Sequence, residues 1–93
     1  MRTILVVDDE RNILSSLGSA LEREGYRVLR AETGEEALAC VTTNVVDLVM
    51  LDVLLPDISG LDVLARLRRE FPRILVIMMS GHGNIETAVG AAT

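Results

Sequence analysis

The sequence contains no lysine, so each of its nine basic residues is an arginine. This absence excludes a phosphate-binding P-loop and a Schiff-base enzyme, because both need a lysine amine. Fourteen acidic residues outnumber the arginines and give a net charge of −5. A negative chain repels the phosphates of a nucleic acid. We therefore expect no direct contact with nucleic acid.

The sequence has one cysteine and no long apolar stretch. The single cysteine, Cys40, cannot form an internal disulfide, and we interpret it as a small buried apolar residue in a reducing compartment. The longest apolar runs, residues 4–7 and 74–79, are too short for a signal peptide or a membrane span. We expect a cytoplasmic protein that does not contact a membrane.

The residues that are present suit one α/β domain. A chain of 93 residues, 49% of them hydrophobic, is long enough for one core and too short for two. Apolar runs of strand length occur at residues 4–7, 27–29, 48–51 and 74–78, and segments of helical periodicity lie between them. The continuously apolar runs are typical of a parallel sheet covered on both faces. The alternation predicts a doubly wound parallel sheet.

Three helices are predicted between these strands. Their apolar faces comprise Ile13, Leu14, Leu17 and Leu21 in the first, Ala37, Leu38 and Val41 in the second, and Leu61, Leu64 and Ala65 in the third. The predicted N-terminal caps are Thr33 with Glu36 and Ser59 with Asp62, and the predicted helix ends are at Gly25 and Pro72.

A fourth helix is predicted at the end of the sequence, with Asn84 as its cap and Ile85, Ala88, Val89 and Ala92 on its apolar face. The sequence stops inside this helix, where a doubly wound sheet usually continues with another strand and helix. We therefore interpret residues 1–93 as one domain that lacks its fifth βα unit.

Carboxylates follow two of the predicted strands. Asp8 and Asp9 follow the first strand, and Asp52 follows the third. Ligands of a doubly wound sheet bind at the carboxyl ends of its strands, and these groups converge there if the two strands are neighbours. Converging carboxylates repel one another unless a cation binds, and oxygen ligands suit Mg²⁺. The sequence thus predicts an acidic pocket that holds Mg²⁺.

Each carboxylate also has an ordinary structural interpretation. Asp9 could cap the first helix, because loops from strand to helix commonly end in aspartate. Asp52 could be a polar loop residue. However, Asp52 directly follows four apolar residues, where a buried carboxylate without a partner is strongly unfavourable. The joint pattern favours the pocket.

Ser80 follows the fourth predicted strand and suits the binding of phosphoryl oxygens beside a carboxylate. The pattern Gly81-x-Gly83 is only part of a dinucleotide-binding loop, because Glu86 stands at the position of the third glycine. His82 has no second histidine nearby to complete a metal site, so we interpret it as an exposed loop residue.

Taken together, these motifs resemble the receiver domain of two-component response regulators. The motifs that carry the resemblance are Val6-Val7-Asp8-Asp9, Leu51-Asp52 followed by Pro56 and Gly60, and Met79-Ser80-Gly81. The resemblance covers the whole chain. It implies a flavodoxin-like fold with strand order 2-1-3-4 and the fifth unit missing.

The resemblance also implies roles for individual residues. Asp52 would accept a phosphoryl group from a sensor histidine kinase. Mg²⁺ would be held by Asp8, Asp9, Asp52 and the backbone carbonyl of Leu54. Ser80 would be the switch hydroxyl that contacts the phosphoryl group. Such a domain catalyses only its own phosphorylation and dephosphorylation, and it is not an enzyme with a separate substrate.

Residues 78–89 resemble receivers of the nitrogen-regulation type, which control transcription through downstream ATPase and DNA-binding domains. The resemblance therefore implies a transcriptional regulator as the parent protein. Two family features are absent from this chain: the lysine at the end of the fifth strand and the aromatic switch residue on that strand.

Two other functions remain open from the sequence. Phosphatases of the haloacid dehalogenase type also phosphorylate an aspartate after a buried strand, but they need a second aspartate where Leu54 stands. The missing lysine leaves a receiver-like interaction or dimerisation module that is not phosphorylated. Whichever function applies, we expect the 93-residue chain to self-associate, because without a fifth strand the apolar edge of the fourth strand is exposed.

Overall fold

A computed structural model of the chain describes residues 1–79 and the backbone of residues 85–87. The elements are β1 (Thr3–Val7), α1 (Arg11–Arg23), β2 (Arg27–Ala31), α2 (Gly34–Thr43), β3 (Leu48–Asp52), α3 (Gly60–Glu70), β4 (Leu75–Met79) and β5 (Ile85–Thr87). The sheet has the order β2-β1-β3-β4-β5, and its first four strands are parallel. The predicted doubly wound sheet with strand order 2-1-3-4 is confirmed.

The sheet separates two layers of core, because successive residues of a strand face opposite sides. On one side Leu5 and Val49 pack with residues of α2 and α3, such as Val41 and Val63. On the other side the neighbouring residues of the strands, such as Val6, pack with α1. All five residues of β1 are buried. The middle of the sheet is therefore enclosed from both faces.

The predicted core face of α1 is confirmed at three of its four residues, whereas that of α3 is right only at Leu64, which packs against the core. In α1, Leu14, Leu17 and Leu21 pack on the sheet. In α3, Leu61 is 58% exposed, and Val63 and Leu67 are buried instead. Gly60 lies directly against the chain after β3, and this contact sets the rotation of α3 about its axis. Positions three and seven residues after Gly60 then face the sheet.

Thr33 and Ser59 are the N-caps of α2 and α3, as predicted, but the Ser59 side chain does not bond to the Asp62 amide as a capping box would. The Glu36 amide donates to Thr33 Oγ1 over 3.0 Å, and the Leu61 amide donates to Ser59 Oγ over 3.2 Å. Gly25, two residues after the end of α1, has a φ of 95°, a conformation that favours glycine. The chain then enters β2, two residues later.

The predicted fourth helix is wrong at its start, because Ile85–Thr87 is a strand. This strand, β5, pairs antiparallel with Ile77, Met78 and Met79 of β4. The open edge of β4 offers unpaired backbone N–H and C=O groups, and pairing with them outweighs the local helical periodicity. Asn84 and residues 88–93 lie outside the described residues.

Two glycines mark close approaches between elements. A Cβ at Gly60 would collide with the Asp52 carbonyl oxygen and would lie 2.8 Å from Val53 Cα, both of which are backbone atoms. A Cβ at Gly18 in α1 would instead meet the guanidinium group of Arg30. That group donates from Nε to the Leu14 carbonyl over 3.1 Å, and it sits at the end of a flexible side chain.

We expect Gly60→Ala to destabilise the fold by about 1–3 kcal/mol, because fixed backbone cannot move away from the new methyl group. The prediction runs against helix propensity, which favours alanine over glycine. Urea unfolding of both proteins measures the difference.

Gly18→Ala is the matched control, since it adds the same methyl group to a helix against a movable side chain. Its destabilisation should be clearly smaller than that of Gly60→Ala. Equal losses for the two variants would contradict the role assigned to the backbone contact.

Candidate metal and phosphoryl site

Parallel pairing brings the ends of β1 and β3 together. Val7 is in register with Leu51, so Asp8 follows β1 at the level where Asp52 ends β3. Asp9 is the next residue of the same loop. One carboxylate oxygen from each of the three aspartates lies within 4.8 Å of the others. The structure thus brings together the three aspartates that the sequence predicts as neighbours.

Backbone amides hold the two buried carboxylates. Asp8 is 7% and Asp52 is 6% exposed, whereas Asp9 is exposed to solvent. The Glu10 amide donates to Asp8 Oδ1 over 2.9 Å, and the Leu54 amide donates to Asp52 Oδ1 over 3.2 Å. Each carboxylate is therefore fixed by an amide two residues further along the chain.

The structure decides between the two interpretations of Asp9. The N-cap of α1 is Glu10, and no side chain makes a capping hydrogen bond there. Asp9 is therefore not the cap of this helix. Its carboxylate belongs instead to the cluster with Asp8 and Asp52.

Burial and nearby negative charges raise the pKa of both inner carboxyls. Loss of water raises the pKa of Asp8 and of Asp52 from the ordinary 3.8, and the hydrogen bond from a backbone amide partly opposes each shift. The negative charge of Asp52 and that of Asp9 raise the pKa of Asp8 further. The cluster is electrostatically unfavourable when all three groups are ionised.

This donor set fits a hard divalent cation. Three carboxylates offer oxygen ligands only, two of them held by buried strand ends, and Mg²⁺ or Ca²⁺ prefers such ligands. A cation would also remove the repulsion that raises the two pKa values. The predicted ligands Asp8, Asp9 and Asp52 therefore fit the ion, although their binding of it stays a prediction.

The sequence also predicts site roles for Leu54 and Ser80. Leu54 lies in the loop between β3 and α3 with its side chain 69% exposed, and its amide already bonds to Asp52. The role of its carbonyl as a metal ligand stays a prediction. Ser80, Gly81, His82 and Gly83 lie outside the described residues.

The contacts of Asp57 are not predicted by any pattern in the sequence. Asp57, in the same loop as Leu54, accepts hydrogen bonds from the amides of Gly34 and Glu35 at the start of α2. The partners lie more than twenty residues apart in the chain. Only the folded arrangement brings them together.

Comparison with known proteins decides the family. The family model described as "Response regulator receiver domain" matches residues 4–93. The chain belongs to this family. Among the described residues of this receiver domain, no helix is long and apolar enough to cross a membrane.

Two curated relatives are regulatory proteins. The receiver domain is 43% identical over 90 residues to the nitrogen assimilation regulatory protein NtrX of Azorhizobium caulinodans, covering 95% of this chain and 20% of the relative. It is 40% identical over 91 residues to the probable transcriptional regulatory protein TcrX of Mycobacterium tuberculosis, covering 98% and 39%. The chain therefore spans a fifth to two fifths of the length of these relatives.

Solved structures of TrrA from Thermotoga maritima share the fold. The crystal structure of this response regulator with Mg²⁺-BeF has a TM-score of 0.83 and 43% identity, covering 88% of this chain and 73% of that one. A crystal structure of the histidine kinase ThkA in complex with TrrA gives a TM-score of 0.85 and 38% identity, covering 99% and 79%.

The raised pKa values predict how stability depends on pH without metal. Between the ordinary value of 3.8 and the raised pKa values, the folded state binds more protons at Asp8 and Asp52 than the unfolded state does. The free energy of unfolding therefore falls as pH rises through this interval. Asp52→Asn removes one of these ionisable groups, so this variant should be more stable than the wild type at pH 7.

Urea unfolding of metal-free protein at pH 7 and below pH 3.8 measures this effect, and the advantage of Asp52→Asn should shrink at the lower pH. Asp62→Asn is the control: Asp62 is an exposed aspartate in the first turn of α3, where a negative charge is favourable, so this substitution should not stabilise the protein at pH 7. A wild type more stable than Asp52→Asn at pH 7 would contradict the assigned repulsion.

Proposed function

We propose that Asp52 is the phosphoryl acceptor of this receiver domain and that a sensor histidine kinase is the donor. The observation that carries the proposal is the burial of the Asp52 carboxylate at the end of β3, within 4.8 Å of two further carboxylates. The solved complex of TrrA with the kinase ThkA supports the class of donor.

The proposed reaction is an in-line phosphoryl transfer. An oxygen of Asp52 forms a bond to phosphorus as the bond from phosphorus to the kinase histidine nitrogen breaks, and the product is an acyl phosphate. This chemistry depends on positioning and on neutralising the phosphoryl oxygens. The amide of Leu54 orients Asp52 from one side by its hydrogen bond to Oδ1.

In this proposal Asp8, Asp9, Asp52 and the Leu54 carbonyl hold Mg²⁺, and Ser80 supplies a hydroxyl to the phosphoryl group. The bound ion supplies charge neutralisation. The sequence has no lysine to share that task, so phosphorylation should depend strongly on the ion. The structure of TrrA with Mg²⁺-BeF supports the choice of metal.

We further propose that the domain regulates transcription in the cytoplasm through downstream ATPase and DNA-binding domains, and that it hydrolyses its own acyl phosphate. The resemblance of residues 78–89 to nitrogen-regulation receivers supports this output. So do the names of the relatives NtrX and TcrX. The net charge of −5 opposes direct contact between the domain and nucleic acid.

We expect a small phosphodonor such as acetyl phosphate to phosphorylate the chain in the presence of Mg²⁺, and Asp52→Asn to abolish the reaction. The substitution replaces the nucleophilic carboxylate with a neutral amide. Ser80→Ala should keep the acceptor and still be phosphorylated. Intact-protein mass spectrometry after incubation measures the bound phosphate.

Asp62→Asn is again the matched control and should be phosphorylated like the wild type. Phosphate retained on Asp52→Asn would show a different acceptor. A wild type that takes up no phosphate with Mg²⁺ present would favour the receiver-like interaction module that works without phosphorylation.

We also propose that the 93-residue chain self-associates. Among the described residues, β5 pairs with Ile77–Met79 only, and nothing pairs with Leu75 and Val76 on that side of β4. Leu75 is 52% exposed. An apolar strand edge with free backbone groups is a template for pairing with another chain.

Sedimentation at micromolar concentration should therefore show dimers or larger species. Leu75→Glu should shift the chain toward monomer, because a charge at a strand edge opposes pairing between chains. Leu61→Glu places the same charge on a similarly exposed leucine of α3 and should leave the association unchanged. A monomeric wild type would contradict the proposal.

A further inference from the structure

The loop of residues 53–59, which connects β3 to α3, is joined to α2 by one side chain. Asp57 Oδ1 accepts from the Gly34 amide and Asp57 Oδ2 accepts from the Glu35 amide, both over 2.9 Å. These two hydrogen bonds lower the pKa of Asp57 below its ordinary value, so the carboxylate is ionised at neutral pH. An anion is also favoured at the positive end of a helix.

A second contact joins the same two elements. Gly34 has no side chain, and Ile58 fills the space beside it: a Cβ at Gly34 would lie 2.7 Å from Ile58 Cδ1. Ile58 is half-buried against the core layer under α2 and α3. The polar contact of Asp57 and the apolar contact of Ile58 therefore fix neighbouring residues of the loop to the start of α2.

The loop is also fixed at its other end. The Gly60 amide donates to the Val53 carbonyl over 2.9 Å, and the Leu54 amide donates to Asp52 Oδ1 over 3.2 Å. The peptide that follows Leu54 thus lies between an anchor at Val53 and an anchor at Asp57. Pro56, between the two anchors, has a restricted φ and reduces the freedom of this stretch further.

We infer that Asp57 is a positioning residue of the metal and phosphoryl site, which holds the Leu54 carbonyl in place for the ion by fixing its loop to α2. This inference rests on the proposed metal site. Asp57 does not itself need to contact the ion. It acts as the outer support of a ligand, and loss of such support typically weakens metal binding.

The test compares Asp57→Ala and Asp57→Asn with Thr33→Ala in the 93-residue chain. Thr33 caps α2 through the Glu36 amide, so Thr33→Ala also removes a capping bond from α2 but leaves the bonds of the loop intact. Two quantities are measured for each protein. They are the Mg²⁺ dissociation constant from NMR titration and the hydrogen exchange of amides 53–59 without metal.

We expect Asp57→Ala to weaken Mg²⁺ binding about tenfold and to accelerate exchange in the loop. Asp57→Asn keeps one acceptor oxygen and should lie between alanine and the wild type on both measures. Thr33→Ala should bind Mg²⁺ like the wild type.

Unchanged affinity and exchange in Asp57→Ala would overturn the inference. An equal loss of affinity in Thr33→Ala would overturn it too, because the effect would then follow from the stability of α2. A wild type that binds no Mg²⁺ would instead count against the proposed metal site, and the exchange of the metal-free loop would still decide whether Asp57 holds it.

Discussion

The parallel pairing of β1 with β3 is the constraint on which the site depends. Its register sets Val7 beside Leu51, and the two strands end at the same level of the sheet. This register places Asp8 opposite Asp52 while the apolar residues before them stay in the core. The pairing that encloses the middle of the sheet therefore also creates a concentration of negative charge at one end.

That concentration of charge opposes folding, and neighbouring elements compensate for it. Backbone amides of Glu10 and Leu54 bond to the buried carboxylates. The close approach of Gly60 brings the start of α3 against the chain after Asp52. The stability of the site thus depends on tight backbone contacts, which tolerate little change in side-chain volume. A bound cation would also stabilise the site, because its positive charge would reduce the repulsion among the carboxylates.

The sequence was informative where one local pattern determines the structure. Apolar runs of strand length gave the order of elements, and their polar ends identified Asp8 and Asp52. The pattern failed in part for α3, because Leu61 and Ala65 satisfy helical spacing as well as Val63 and Leu67 do. Only the contact of Gly60 with the chain after β3 decides between the two faces. The bonds of Asp57 to α2 could not be predicted, because no local pattern links residues so distant in the chain.

The antiparallel pairing of β5 with β4 limits where a strand from a second molecule can pair with this edge of the sheet. Met79 pairs with Ile85 across a short connection, whereas the parallel pairs join residues that are distant in sequence. A strand tethered so closely competes at an effective concentration on the order of millimolar. A strand from another molecule at micromolar concentration and with equal intrinsic affinity is therefore at a disadvantage in pairing with Ile77–Met79. On this side of the sheet, pairing between molecules would therefore use Leu75 and Val76 or the outer edge of β5 itself.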